Sequence, residues 1–288
     1  MNPPCNLCGS EAASPFCPGN GRGLLRCDRC GLVRVQDLPS AATLATLYDA
    51  SYFRNARSGE LGYSDYAADE ANIRRTARRR LAHLERLTVS GRLLDVGCAL
   101  GFFVDEAAQR GWQAEGLEFS TYAVAEAQRR GLRVQAGTLE NADLPAASFD
   151  VLTLYDVIEH VPDPRAVLQA TARLLHPGGL LELTTPDVGS LPARLAGRRW
   201  IGYKLSEEHL YYFAQPTLRR LLAETGFEVI ETWPAGKYVT LALFCDRLGF
   251  YLPPLARLLS SLLRMLRFDQ RALYIIPGDI VGITARRA

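Results

Sequence analysis

From residue 92 to residue 185 the chain alternates short apolar runs with stretches of helical period. The runs predict strands over 92–97, 112–118, 132–136, 148–155 and 178–185. The stretches between them predict helices over 101–110, 120–130 and 163–175. Strands alternating with helices of this length imply parallel βαβ units, hence an α/β sheet covered by helices on both faces. Upstream, Ile73, Ala77, Leu81, Leu84 and Leu87 recur at near-helical spacing and predict a helix over 67–88. Downstream, Thr217 to Thr225 reads as an amphipathic helix. Leu273 to Ala285 reads as one apolar strand that runs antiparallel and completes a seven-stranded sheet. Residues 236–270 are then an insertion within a hairpin. The expected organisation is a small module over 1–38, a helical connector over 39–88 and the α/β unit over 89–288.

Two stretches depart from this plan. Between Pro39 and Tyr66 the aromatics Tyr48, Tyr52, Phe53, Tyr63 and Tyr66 cluster, which fits either pocket lining or packing against the core. Residues 251–268 are apolar but carry Arg257, Arg264 and Arg267. A basic amphipathic helix of this kind lies on a membrane surface, closes a pocket as a lid, or forms a dimer contact. Nothing in the pattern specifies an oligomeric state.

Composition changes the picture little. The chain has 288 residues and a formal net charge of +2, so no global field argues for nucleic acid. The arginines of the 67–88 helix, Arg74, Arg75, Arg78, Arg79, Arg80 and Arg86, are the one feature that would suit RNA docking. A solvated helix face is the ordinary fate of such a stripe. No basic-then-apolar leader pattern opens the sequence and no run approaches the length of a bilayer span, so the expected location is cytoplasmic.

Seven cysteines in that setting point to metal ligands or reduced thiols. Cys5-Asn-Leu-Cys8-Gly9 and Cys27-Asp-Arg-Cys30-Gly31 form a C-x2-C…C-x2-C pair, the spacing of a zinc ribbon. Four thiolates with no open position suit a structural, tetrahedral Zn²⁺ at Cys5, Cys8, Cys27 and Cys30. Cys17 falls in a Pro/Gly-rich loop as a spare thiol.

The chemistry concentrates at Leu93-Leu-Asp-Val-Gly-Cys-Ala-Leu-Gly-Phe-Phe103, where the first core strand turns into a helix through glycines. Such a turn brings a nucleotide close to backbone N–H groups. The dinucleotide pattern G-x-G-x-x-G does not fit, because Ala99 and Phe102 stand at its second and third glycines. Asp95, Gly97, Ala99 and Gly101 instead give D-x-G-x-[GA]-x-G. This resembles motif I of class I S-adenosylmethionine (SAM) methyltransferases, and the unit as a whole then resembles their Rossmann-like fold. Glu118 closes the second strand, where an acidic residue accepts ribose hydroxyls. Gly137 to Pro145, His176-Pro-Gly-Gly179 and Glu208 to Phe213 ahead of the 217–225 helix match the family in order, closest to its type 11, 12 and 23 groups. The resemblance implies a SAM site built from Asp95, Gly97, Cys98, Ala99, Gly101 and Phe102, with Glu118, Phe119, Thr138, Leu139 and Tyr155.

Past the fourth strand lies Tyr155-Asp-Val-Ile-Glu-His160. Asp156, Glu159 and His160 are spaced i, i+3, i+4, which places them on one face if this is a helical turn. The set is similar to the metal-associated E-x-x-E-H of ubiquinone-biosynthesis O-methyltransferases, and by that resemblance it would hold Mg²⁺ beside a hydroxylated substrate. A helix cap with structural hydrogen bonds explains the same residues. His209 is a second candidate base, histidine being the side chain most readily poised near neutrality. No Asn-Pro-Pro-Tyr or Asp-Pro-Pro-Tyr follows the strand, which moves weight from amine acceptors toward oxygen. The leading expectation is SAM-dependent methyl transfer to a small-molecule acceptor at oxygen: a sugar, a natural product or an isoprenoid phenol. An RNA methyltransferase and a non-catalytic SAM-binding protein are the alternatives.

Overall fold

The structure is a computed structural model and describes residues 3–18, 23–48, 50–53, 66, 69–205 and 208–288; Tyr63 and residues 67–68 of the expected helix lie outside them. The alternation from residue 92 onward produces β4 (Arg92–Val96), α4 (Phe102–Gln109), β5 (Gln113–Glu118), α5 (Thr121–Arg129), β6 (Val134–Ala136), β7 (Phe149–Tyr155), α6 (Pro164–Leu174) and β8 (Leu175–Pro186). Before them come β1 (Ala13–Pro18), β2 (Gly23–Cys27), β3 (Val33–Val35), α1 (Ala41–Leu47), α2 (Ala50–Phe53) and α3 (Glu70–Leu84). After them come α7 (Leu191–Ala196), β9 (Tyr211–Tyr212), α8 (Gln215–Glu224), β10 (Phe227–Pro234), β11 (Lys237–Thr240), α9 (Leu241–Tyr251), α10 (Pro253–Met265), β12 (Ala272–Ile275) and β13 (Ile280–Arg287).

The main sheet has seven strands in the order β10-β13-β8-β7-β4-β5-β6. The pairs from β8 to β6 are parallel, and β13 runs antiparallel to both β8 and β10. The central strands are apolar on both faces: Leu93 and Val151 pack toward α3 and α4, while Leu94, Leu152 and Leu154 pack toward the larger core. The strand order reverses between β4 and β7, the switch point where open α/β sheets bind ligands at their carboxyl ends.

The expected single strand from Leu273 to Ala285 is instead two strands. Pro277 and Gly278, the latter with φ of +82°, break the run. β12 pairs with β11 in a separate two-stranded ribbon, and only β13 enters the main sheet. Hence β11, α9, α10 and β12 stand as one excursion between β10 and β13.

The cysteine-bearing segment does not fold apart from the core. β1, β2 and β3 form an antiparallel sheet whose fourth strand is β9, contributed from beyond β8. Asn6 Nδ2 donates to Asp163 Oδ1 at 2.7 Å, and the Arg165 guanidinium donates to the carbonyls of Asn6 and Leu7.

The arginines of α3 are largely engaged within the molecule. Arg74 bridges Glu70, Asp105 and Glu106, Arg78 pairs with Glu106, and Arg75 and Arg79 lie over the rings of Tyr238 and Tyr274. These contacts partly offset the charge that the stripe would offer to RNA, while Arg75, Arg78, Arg79 and Arg86 remain exposed. The buried face of α3 adds His83, whose Nδ1 lies 2.8 Å from Glu182 Oε2 and whose Nε2 lies 3.2 Å from Glu231. The hydrogen bond to Glu182 outweighs burial and raises the imidazole pKa above its ordinary value. A group protonated more readily in the folded state contributes fully below its unfolded pKa, about 6.5, and loses that contribution as pH rises through the folded value. The stability difference between wild type and His83→Gln, from urea titrations, should be largest near about pH 5.5 and shrink with rising pH. A pH-independent difference would contradict this assignment.

Candidate active site

The donor side is built where β4 and β5 end. Gly97, Ala99 and Gly101 alternate as left-handed residues with φ of +68°, +50° and +79°. A Cβ on Gly97 would sit 2.6 Å from a methyl of Val157, and one on Gly101 would sit 2.6 Å from a methyl of Leu132. Both positions therefore demand glycine for conformation and for space. Glu118 ends β5 nearly buried, with the N–H of Ala99 donating to Oε2 and that of Ser120 to Oε1, both at 2.8 Å. These bonds orient the carboxylate and leave further lone pairs on each oxygen for hydroxyl donors. Asp95 is buried beneath the turn and accepts from Thr153 Oγ1 at 2.6 Å; burial pushes its carboxyl up to about 7. An alternating left-handed turn beside an oriented carboxylate fits the nucleoside moiety of SAM.

The other expected donor-side residues divide by what their side chains do. Phe119 is partly exposed at the rim, next to Glu118. The Cys98 side chain points into the core, where it fills the space a Cβ on Gly116 would need, so only its backbone faces the turn. Phe102 is buried, stacked on Tyr66 and flanked by the guanidinium groups of Arg74 and Arg130. Thr138 opens a turn whose backbone carbonyl accepts from Asn141 and Ala142, and Leu139 is buried beside Leu117. The Tyr155 hydroxyl donates to Glu182 at 2.7 Å and its ring lies under Arg80, leaving its backbone at the strand end.

The second half begins at Asp156, a non-glycine residue with φ of +58°. This conformation ends the strand without starting a helix, and residues 157–160 are turn and irregular backbone. The expected common helical face of Asp156, Glu159 and His160 does not exist. Asp156 turns toward Thr184, which donates to Oδ1 at 3.2 Å, and toward Lys237 Nζ and Arg80, at 2.9 Å and 3.5 Å from Oδ2. Burial alone would raise this carboxyl, but Lys237 first and Arg80 second hold it well below the usual range.

Glu159 and His160 turn the other way and meet His209. One donor atom from each of these three residues lies within 4.8 Å of the others. His160 Nδ1 is 2.9 Å from the Glu208 carbonyl and 3.0 Å from the Tyr48 hydroxyl. A carbonyl only accepts, so Nδ1 carries the proton and Nε2 presents its lone pair toward Glu159, 4.0 Å away. Burial lowers His160 to about 4 and His209 well below its ordinary value, so both are neutral near pH 7. Burial, then the charge of Asp156, raises Glu159 to about 8. Glu159 Oε2 and His209 Nδ1 are buried without a hydrogen-bond partner among the described residues. With Asp156 held by Lys237, the carboxylate-rich set that Mg²⁺ prefers is not assembled. The nitrogen-rich trio suits a transition-metal ion better.

Two contributors carry no motif. Tyr48, from the end of α1, joins the trio from 112 residues away in sequence and makes an edge contact with Tyr52. Tyr52 and Phe53 continue the aromatic chain to Tyr122 on α5, so the described part of the connector packs on the core. Lys237 arrives on β11, within the excursion between β10 and β13. In a sequence with only two lysines, its rarity was the one available signal.

At the four cysteines, Cys5 Sγ lies 3.5 Å from Cys30 Sγ, and Cys8 Sγ 3.5 Å from Cys27 Sγ. All four lie within 4.8 Å of one another, close to the ~3.8 Å edge of a tetrahedron with metal–sulfur bonds of about 2.3 Å.

The family model described as a methyltransferase domain matches residues 68–232. Over 104 residues the chain is 38% identical to a ubiquinone biosynthesis O-methyltransferase of Paracidovorax citrulli, spanning 33% of this chain and 43% of that protein. The chain thus matches less than half of that relative's length. Among solved structures, a magnesium protoporphyrin IX methyltransferase from Synechocystis, crystallised with bound SAH, superposes with a TM-score of 0.55 at 16% identity, covering 86% of this chain and all of that one. A SAM-dependent methyltransferase from Archaeoglobus fulgidus gives a TM-score of 0.54 at 15% identity, covering 78% of this chain and 100% of that one. At these identities the likeness is one of fold.

Lys237→Met should destabilise the protein by roughly 1–3 kcal/mol, and the double variant Lys237→Met/Asp156→Asn should recover part of that loss. Strict additivity in a denaturant-based double-mutant cycle would mean that the two groups are not coupled.

Proposed function

The chain belongs to this methyltransferase domain family, and on that premise we propose that it transfers the methyl group of SAM to a hydroxyl of a small, phenol-type acceptor. The observation that carries the reading is the pairing of the oriented Glu118 carboxylate beside the donor turn with a His160 whose Nδ1 is anchored on the Glu208 carbonyl, which leaves Nε2 as the ring's lone-pair nitrogen. An oxygen nucleophile must lose its proton during methyl transfer, and a neutral imidazole is a competent acceptor for it. The O-methyltransferase name of the 38%-identical relative supports oxygen as the methylated atom.

In this reading Glu118 grips the ribose hydroxyls, and the turn from Gly97 to Gly101 lets the backbone approach the donor. Asp95 braces the strand end from beneath, and Phe119 flanks the nucleoside. SAM, when bound, supplies an electrophilic methyl on sulfonium, so positioning and exclusion of water account for much of the rate. His160 takes the acceptor proton at Nε2. Tyr48 and Glu208 fix the ring, and His209 supports it edge-on at a centroid distance of 4.7 Å.

We also propose that Cys5, Cys8, Cys27 and Cys30 hold one structural Zn²⁺. The metal would act on the site through a short backbone relay. The Val35 N–H donates to the Leu210 carbonyl, and the Leu210 N–H donates to the Glu159 carbonyl.

Calorimetry should show saturable SAM binding by the wild type, lost in Glu118→Ala; a folded wild type that binds no SAM would sink the reading. His160→Gln should keep SAM binding and lower kcat with a catechol acceptor by about 10²–10⁴-fold, whereas unchanged kcat would remove His160 from the chemistry. For the metal, Cys8→Ser should lose zinc by elemental analysis, retain SAM affinity and lose roughly a hundredfold in turnover, the scale of a small misplacement of catalytic groups. Zinc-free wild-type protein with full turnover would contradict the relay.

A further inference from the structure

Ten of the sixteen large apolar side chains exposed among the described residues fall between Phe244 and Ile276, although that stretch is a small part of the chain. The densest set lies on α10. Leu255, Leu258, Leu262, Met265 and Leu266 recur at helical spacing on one side, and Leu258 and Met265 are 67% and 72% exposed. Arg257 and Arg264 come round on the opposite side at 100° per residue, and Arg267 follows the helix end. No acidic residue occurs between Asp246 and Asp269. Ala256 is buried against Gly249 of α9 and Leu259 and Leu263 are half-buried, so the helix packs on its own hairpin through one side and leaves Leu255, Leu258, Leu262, Met265 and Leu266 exposed.

From this we propose that α10 seats the protein on the surface of an anionic lipid bilayer. The helix has 13 residues, and no described helix is long and apolar enough to cross a membrane, so the mode is interfacial. Leucines and Met265 enter the acyl boundary while the arginines stay at the level of acidic headgroups, each cation adding attraction that an uncharged surface would not return. An acid-free run of arginines flanking a convex apolar stripe is complementary to a negatively charged sheet. The same excursion carries Lys237 to Asp156, so the docking helix and the site share one segment.

The test is flotation of the full chain with two vesicle compositions, phosphatidylcholine alone and phosphatidylcholine with phosphatidylglycerol. Light scattering of the free protein is recorded in parallel, and circular dichroism confirms that each variant is folded. The wild type should float with the anionic vesicles and scatter as a monomer. Leu258→Glu/Met265→Glu should reduce vesicle-bound protein by at least roughly tenfold. Arg257→Ser/Arg264→Ser/Arg267→Ser should abolish the preference for phosphatidylglycerol. Failure of the wild type to float with either vesicle would overturn the proposal. So would a dimer that Leu258→Glu dissociates, since a second copy would then be the occupant of this face.

Discussion

One half-buried negative charge, on Asp156, organises the end of the sheet where the candidate site lies. It ends β7 in a left-handed conformation that a non-glycine residue adopts only when its surroundings over-determine it. They do so from three directions: Thr184 on β8, Arg80 on α3 and Lys237 on β11. Beyond this residue Glu159 and His160 lie in turn backbone and gather with His209. The charge also acts at a distance, because together with burial it keeps Glu159 protonated near neutral pH. In the proposed reaction the neutral imidazole of His160 would take the proton of an incoming hydroxyl without first expelling one.

The cysteine segment shares this organisation. Its sheet is closed by β9, and the residues entering β9 lie on the Glu159 carbonyl. The buried residues of this sheet are continuous with those of the α/β unit, so the sheet backs the Glu159–His160–His209 cluster. Burial pushes the Cys27 thiol up, but backbone N–H groups of Cys30 and Arg29 and the Cys8 thiol outweigh it and bring it down to about 7, as suits a metal-binding thiolate. The excursion from β11 to β12 joins the site through Lys237 and carries the exposed leucines of α10.

Much of this was legible in the sequence. Apolar runs of strand length between helical stretches specified the parallel sheet, because parallel strands buried on both faces need apolar residues throughout. The donor turn was legible because alternating left-handed positions demand small residues at fixed spacing. The helical face expected of Asp156, Glu159 and His160 failed because i, i+3, i+4 spacing carries meaning only on a helix, and nothing local announced a left-handed aspartate. Tyr48 and Lys237 reach the site through tertiary contacts with no periodic signal. Leu273 to Ala285 misled for the complementary reason: its apolar character is continuous, whereas Pro277-Gly278 makes its geometry discontinuous.

The central claim is that a half-buried, neutral His160 serves an oxygen acceptor presented to bound SAM. Turnover of SAM carrying a ¹³C-labelled methyl, with the product's methyl environment read by NMR, tests it most directly. The account predicts label on oxygen of a hydroxylated acceptor, with product formation lost in His160→Gln protein that still binds SAM. Label on carbon or nitrogen, or undiminished product from that variant, would contradict it.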